Sequence, residues 1–206
     1  MRRPVLLRLV TRAMVAAFGV PVVPAHVVGQ EFHVDLDADN TVLFTSRAAI
    51  EVVEGRTDRI DGYVVLASER VEPGEPSGPT GFYLEVDLAS LDTGLGLRNR
   101  HMWNNYLEVK EFPYAFFEGT IQEVEVLAEE ERFRVWGVGA MEIHGVSREM
   151  RIPCDLSLQG DGYRARCSFE VLLSDFDISI PRLMFLKLAN EIRLELDFSV
   201  RPALDP

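Results

Sequence analysis

The sequence holds only two cysteines and four histidines, and its 33 acidic residues outnumber the 21 lysines and arginines. The resulting formal net charge of −12 argues against a nucleic-acid partner, because phosphate binding needs a basic face. The histidines show no metal-ligand spacing. The sequence also lacks a Ser-His-Asp elbow, a Gly-rich phosphate loop and a convincing carboxylate pair. It therefore predicts no catalytic residues, no metal and no cofactor.

The N-terminal segment is rich in arginine and contains no acidic residue. Arginines at positions 2, 3, 8 and 12 precede an apolar run over residues 13–23, and Ala25 offers a small residue for cleavage. This order is typical of a secretory signal peptide over residues 1–25. The run is too short, and too interrupted by proline, for a stable transmembrane helix. We therefore expect a secreted or periplasmic protein; an uncleaved N-terminal anchor is the alternative.

Most of the chain beyond Glu31 alternates between apolar and polar residues, as strands with one buried face do. Residues 81–88 and 192–200 show the pattern most clearly. One long strand is predicted over residues 41–53, and a helical pattern over residues 181–186. Eight or nine strands joined mostly by short turns, without a βαβ rhythm, predict an all-β antiparallel fold. Long strands with one apolar face favour a closed barrel over a sandwich.

The apolar sides of these strands define the residues expected to face the barrel interior. An eight-stranded barrel is wide enough for one small or slender ligand. Burial of apolar surface would stabilise a bound chain by about 25 cal/mol per Å². Alternation alone leaves two interpretations open, a tunnel for a ligand and an ordinary dry core. The predicted inward residues are Phe44, Phe82, Leu84, Val86, Leu88, Ile152, Leu156, Phe169, Val171, Leu194, Leu196 and Phe198.

The two cysteines lie on either side of a short turn. Gly160 and Asp161 predict a two-residue hairpin loop, in which the numbers of facing residues sum to 321. Cys154 and Cys167 then face each other as a non-hydrogen-bonded pair, where Cα atoms approach to about 4.5 Å. A disulfide is within reach of this geometry and would fit an oxidising compartment. Two buried thiols are the alternative.

Residues 91–113 break the strand pattern. They gather arginines, a histidine and a tryptophan between a glycine turn and a proline. Irregular loops of more than about a dozen residues are uncommon unless they are functional. We predict a lid here, with a short helix within residues 95–107. Met102 and Trp103, with Met184 in a second irregular stretch, would cover the mouth, since Met adapts to a flexible chain and Trp offers a broad apolar face. Plugs of the barrel end are the alternative.

Several ordered, separated motifs resemble the signature of the YceI-like family. They are LDTG at 91–94, RNRHM at 98–102, YLEVKEFP at 106–113, IHGVSR at 143–148 and SDF at 174–176. The resemblance covers about residues 31–201. The sequence departs from the family pattern at Asn99, where the family usually has Asp, and at Leu173 and Asp177, where it often has Arg and Gly.

The resemblance implies an extended, lipocalin-like, eight-stranded antiparallel β-barrel with a short helical lid, in the bacterial periplasm. It implies non-catalytic binding of a long polyisoprenoid lipid, such as a prenyl diphosphate or an isoprenoid quinone, inside the barrel. Arg98 and His101 match a family motif and would contact the polar head group, because the donor fork of Arg suits a diphosphate or a carbonyl. Pairing of Arg98 with Asp92 or Glu108 to hold the lid is the alternative.

The predicted partner is therefore an amphiphilic lipid, and a transient contact with a membrane surface and a homodimer stay open. Two alternatives to a carrier are an enzyme that uses Arg98 and His101 on a lipid-like substrate, and a structural or stress-response scaffold with a dry core. The residues predicted to bind the ligand are Phe44, Phe82, Leu84, Val86, Arg98, His101, Met102, Trp103, Phe169, Phe176, Met184 and Leu194.

Overall fold

Strands account for most of the described structure. The computed structural model describes residues 29–47, 51–127, 131–180, 182–183, 186–187 and 189–203, so the predicted signal peptide lies outside it. Within this part of the chain, the one α-helix is α1 (Gly96–Asn105), and two 3-10 turns span Leu88–Ser90 and Leu173–Phe176. The strands are β1 (Gln30–Val34), β2 (Thr41–Arg47), β3 (Val52–Thr57), β4 (Ile60–Leu66), β5 (Gly81–Asp87), β6 (Tyr114–Val126), β7 (Arg132–Ile143), β8 (Val146–Gln159), β9 (Gly162–Leu172), β10 (Arg182–Leu183), β11 (Leu186–Lys187) and β12 (Glu191–Pro202).

The main sheet closes on itself through the pairing of β1 with β12. Its strands run in the order β1-β4-β5-β6-β7-β8-β9-β12, and every pair is antiparallel. The short strands β1 and β2 follow one another along β12, and β3 and β4 follow one another beside them. Each of these two successions fills one strand position, so the barrel has eight. The predicted fold class is confirmed.

The region around β2 and β3 corrects the prediction of a single strand over residues 41–53. The chain instead makes a hairpin in which Val42 pairs with Thr57 and Ser46 with Val53. No Gly, Pro, Asn or Asp stands between these two strands, so the usual signal of a reversal is absent from the sequence.

The predicted helical pattern over residues 181–186 is also wrong where the structure describes that segment. β10 and β11 pair antiparallel, with Arg182 opposite Lys187 and Leu183 opposite Leu186. An apolar spacing over six residues is too short to separate a helix turn from a tight strand pair. Contacts with residues distant in the sequence decide between a helical turn and a strand pair here.

The β8–β9 hairpin confirms the register derived from its turn. Gln159 pairs with Gly162, and Cys154 pairs with Cys167. Gly160 adopts the positive φ of 65° that such a tight turn needs, which glycine reaches without steric cost. The two sulfur atoms are joined in a disulfide, and the Cα atoms are 4.2 Å apart. The bond links neighbouring strands of the barrel wall.

Burial follows the alternation of the strands. In β3 every second residue is buried, and β9 shows a similar pattern over most of its length. Inward residues of every barrel strand except β3 form one apolar cluster, with Phe32, Ile60, Ile152 and Phe198 at most 2% exposed. In the described ranges, no helix is long and apolar enough to span a bilayer.

Candidate ligand-binding site

The barrel encloses a cavity of about 930 Å³. The inner faces of the strands, α1 and the turn at Leu173–Phe176 form its wall, and most of the wall residues are aliphatic or aromatic. This volume lies near the upper end of the range of about 300–1,000 Å³ found for ligand pockets. All twelve residues predicted to face inward line the cavity, namely Phe44, Phe82, Leu84, Val86, Leu88, Ile152, Leu156, Phe169, Val171, Leu194, Leu196 and Phe198.

A glycine in the wall leaves space for two aromatic rings. A Cβ atom on Gly137 would lie 3.1 Å from Cε1 of Phe82 and 3.6 Å from Cε1 of Phe117. The centroids of these two rings are 4.7 Å apart, so they pack together over the glycine. A larger residue at this position would push the rings, and Phe82 first, towards the lumen.

The charged side chains found in the described part of the wall meet where α1 joins the barrel. Glu51 stands just before β3, and Arg98 lies in the first turn of α1. Arg98 donates from Nη1 to Oε1 of Glu51 at 2.9 Å. Its Nε and Nη2 donate to Oγ1 and the carbonyl oxygen of Thr93, both at 3.1 Å. The partners of Arg98 are therefore Glu51 and Thr93, rather than the Asp92 or Glu108 that the sequence suggested.

Asn99 ties α1 to the turn that precedes it. Asn99 is only 7% exposed. Its Oδ1 accepts two hydrogen bonds from Thr93, one from the backbone N–H at 2.9 Å and one from Oγ1 at 2.6 Å. Its Nδ2 donates to Oδ1 of Asp92 at 2.7 Å. Asn99, which departs from the family pattern, thus has a structural role, because its amide oxygen accepts hydrogen bonds and its amide nitrogen donates one.

The turn at Asp92 is in turn fixed to the barrel. The backbone of Asp92 exchanges two hydrogen bonds with the backbone of Arg56 in β3, at 3.0 and 2.9 Å. The hydrogen bonds that the Asp92 carboxylate accepts from Asn99 and from the N–H of Gly94 lower its pKa, and the nearby charge of Arg56 acts in the same direction. The charged form of Asp92 is therefore the one that holds the helix.

The structure distributes the remaining predicted lid residues unequally. His101 and Met102 line the cavity, and so does Phe176. Trp103 does not line it, which differs from the prediction that its ring covers the ligand. Each residue turns the helix by about 100°, so the residue after Met102 points away from the lumen. Nε1 of Trp103 is buried with no hydrogen-bond partner among the described residues. Met184 lies outside the residues whose side chains are described.

A second anchor holds the segment that follows α1. His144 lies in the β7–β8 turn, and its Nε2 is 2.8 Å from Oε2 of Glu108. Its Nδ1 is 3.2 Å from the carbonyl oxygen of Phe176, and its ring packs on Phe112 at a centroid distance of 4.7 Å. Three of the separated sequence motifs, around residues 108, 144 and 176, therefore meet at one point beside the lid.

Sequence reasoning missed two residues of the mouth, Ser46 and Glu51. Both line the cavity, at the two sides of the β2–β3 hairpin. The prediction of one continuous strand over residues 41–53 placed both residues within the barrel wall and not at an opening of the cavity. A charged residue on the apolar face of a strand is the one signal that could have marked Glu51, because Glu51 has the same inward parity as Val53 and Gly55.

A closed antiparallel barrel of eight strands around an apolar cavity places the protein among the lipocalin-like barrels. The match of the YceI-like domain model extends over residues 18–200. The chain belongs to the YceI-like family, as its motifs predicted. No match was found among curated proteins.

Solved structures with the same fold are distant in sequence. A polyisoprenoid-binding domain from Saccharophagus degradans, implicated in plant cell wall breakdown, has a TM-score of 0.63 and 16% identity, over 84% of this chain and 98% of that chain. BcnA from Burkholderia cenocepacia has a TM-score of 0.61 and 18% identity, over 81% and 98%. The YceI protein of Campylobacter jejuni has a TM-score of 0.55 and 16% identity, over 77% and 90%. At these identities the likeness shows the fold alone.

Proposed function

We propose that the protein binds one long-chain amphiphilic lipid of the polyisoprenoid class inside its barrel and carries it without chemical change. The observation behind this proposal is the cavity of about 930 Å³, whose lining, among the described residues, is apolar along the barrel and charged only near α1. Such a division suits a molecule with a long hydrocarbon tail and a small polar head. A dry scaffold would fill this space with side chains instead.

Burial of the tail supplies enough free energy for binding. Each buried carbon group contributes about 0.8 kcal/mol, so a five-carbon isoprene unit contributes about 4 kcal/mol. Association costs roughly 4–15 kcal/mol. A tail with about four buried units therefore binds even if the head group makes no hydrogen bond. Chain length, rather than head-group chemistry, sets the bulk of the affinity.

Two further observations support this function. The Saccharophagus degradans domain with the same fold is described as polyisoprenoid-binding. The disulfide between Cys154 and Cys167 suits an oxidising compartment, which agrees with the expected periplasmic or secreted location. The fold is that of a binding domain, and the charged groups of the mouth pair with each other, which supports a carrier rather than an enzyme.

The mouth offers a route for loading from a membrane. Leu95 and Leu97 line the cavity at the start of α1 and are 57% and 63% exposed. Exposed leucines beside an apolar cavity can touch the acyl region of a bilayer while the lipid moves. Transient contact with a membrane surface at this end of the barrel is part of the proposal.

The test combines extraction with a matched pair of variants. Lipid extracted from the purified protein should contain a long-chain isoprenoid by mass spectrometry, and delipidated protein should take up added polyprenol. Leu194→Trp fills the lumen and should weaken uptake more than about tenfold. Glu170→Trp places the same ring on the outer face of β9 and should leave uptake unchanged. Absence of both extracted lipid and uptake rejects the function, and equal uptake by the two variants removes the cavity as the binding site.

A further inference from the structure

We propose that the mouth of the cavity is a head-group site that selects an uncharged hydroxyl or carbonyl head over a phosphate-bearing one, and that Glu51 sets this selectivity. The inference rests on the proposed function and specifies the ligand class of the same site. It is argued from a buried hydroxyl that has no partner among the described residues, an arginine whose nitrogens are already engaged, and a carboxylate at the opening.

The hydroxyl belongs to Ser46, the penultimate residue of β2. Ser46 is 4% exposed and lines the cavity on the same face as Val42 and Phe44. Its Oγ is buried and has no hydrogen-bond partner within the described part of the chain. Buried polar atoms are almost always paired, because an unmade hydrogen bond is costly. A ligand head that carries a hydroxyl or a carbonyl would supply the missing partner.

Arg98 is the cation to which a phosphate would bind, but its donors are largely used. All three of its guanidinium nitrogens donate to Glu51 or Thr93. Binding of a phosphate relies on an open, bidentate fork and an unpaired positive charge. The ion pair with Glu51, at 2.9 Å, removes both. The N–H groups left on Arg98 can still donate single hydrogen bonds to a neutral oxygen.

Glu51 adds a negative charge where a diphosphate would have to lie. It immediately precedes β3, whose residue Val53 pairs with Ser46, so Glu51 and Ser46 lie at the same end of the β2–β3 hairpin, and both line the cavity. The side chains of Glu51 and Arg98 are 35% and 31% exposed, so water screens them only in part.

The other groups at the mouth also suit a neutral acceptor. No described side chain caps the N-terminus of α1, where Gly96 and Leu97 line the cavity. Backbone N–H groups at this position favour an oxygen acceptor. His101 follows Arg98 by about one helical turn on the cavity wall. An anionic head would gain from these groups but would meet the Glu51 carboxylate and the overall formal charge of −12.

Two probes with the same tail separate the head group from the tail. Geranylgeraniol and geranylgeranyl diphosphate differ only in the head, and both can be titrated into the delipidated full chain. The wild type should bind the alcohol about tenfold more tightly or better. Ser46→Ala should weaken the alcohol about three- to tenfold, as expected for one lost hydrogen bond, and should leave the diphosphate nearly unchanged.

The decisive variant is Glu51→Gln, with Glu54→Gln as its control. Glu51→Gln leaves Arg98 with an unpaired charge, so the preference for the alcohol should fall at least about fivefold or reverse. Glu54 lies in β3 on the exposed face, and its substitution should not change the ratio. An equal ratio in Glu51→Gln and wild type, with thermal unfolding unchanged, overturns the inference, as does a wild type that prefers the diphosphate. In both cases the cavity function stands. If neither probe binds, the proposed function itself fails.

Discussion

Replacement of Asn99 by Ala tests whether one buried amide holds the lid on the barrel. The variant removes two hydrogen bonds that Asn99 accepts from Thr93 and one that it donates to Asp92. The two bonds from Thr93 contribute about 0.5–1.5 kcal/mol each, or about 1–3 kcal/mol together. Alanine has the higher helix propensity and returns up to about 0.7 kcal/mol. The free energy of unfolding should therefore fall by about 0.3–2.3 kcal/mol.

The assay is urea unfolding followed by circular dichroism, with Asn104→Ala as the matched control. Asn104 lies in the same helix but is exposed, so its substitution should not lower the free energy of unfolding and should raise it by at most about 0.7 kcal/mol. Asn99→Ala should also shorten the retention of bound lipid, because the lid opens more often. If the two variants have the same stability, the hydrogen bonds at Asn99 do not anchor the helix.

The same variant has a signature in pH. Hydrogen bonds from Asn99 and Gly94 lower the pKa of Asp92 below its ordinary value of 3.8. A carboxyl whose pKa is lowered on folding stabilises the protein above its unfolded pKa, and this contribution is lost as the pH falls through the folded pKa. The hydrogen bond from Asn99 is the largest cause of this lowered pKa, so the pKa of Asp92 should lie closer to its ordinary value in Asn99→Ala. The loss of stability on acidification below about pH 4 should therefore be smaller in Asn99→Ala than in wild type. An equal loss of unfolding free energy on acidification in the two proteins would contradict this reasoning.

Three other predictions concern the wall, the second anchor and the mouth. The double variant Cys154→Ser, Cys167→Ser removes a disulfide between residues 13 positions apart, so the free energy of unfolding measured in urea should fall by about 3 kcal/mol. An unchanged urea midpoint would show that the disulfide does not constrain the unfolded chain. His144→Asn keeps a residue that tolerates the positive φ of 54° but removes the contact with Glu108, and unfolding should show a loss of about 1 kcal/mol, whereas no loss would mean that this contact contributes nothing to stability. Leu95→Ser, which removes apolar surface at the mouth, should slow transfer of polyprenol from vesicles more than it weakens affinity at equilibrium, and an unchanged transfer rate would contradict the membrane-loading step.

Local pattern was sufficient for the barrel itself. Alternation places apolar residues on one face of a strand whatever that strand pairs with, so Phe82, Leu84 and Val86 could be assigned to the lumen from the sequence. The two-residue turn at Gly160 and Asp161 likewise determined the register of its hairpin, and with it the facing positions of Cys154 and Cys167. These features depend on neighbours in the chain or on a period of two, and both are visible in the sequence.

The mouth of the cavity depended on contacts between distant segments, which no local pattern contains. Ser46 and Glu51 became mouth residues only because the chain reverses between β2 and β3, where the sequence carries no turn residue. The acidic partner of Arg98, Glu51, lies 47 positions away, and His144, which anchors Glu108, lies 36 positions away. From the sequence, many acidic residues could form an ion pair with an arginine equally well. Closure of the barrel determines which of them lies within reach. Alternation along the strands was enough to assign most of the inward residues, whereas closure of the barrel creates the cavity and brings polar groups from distant segments to its mouth.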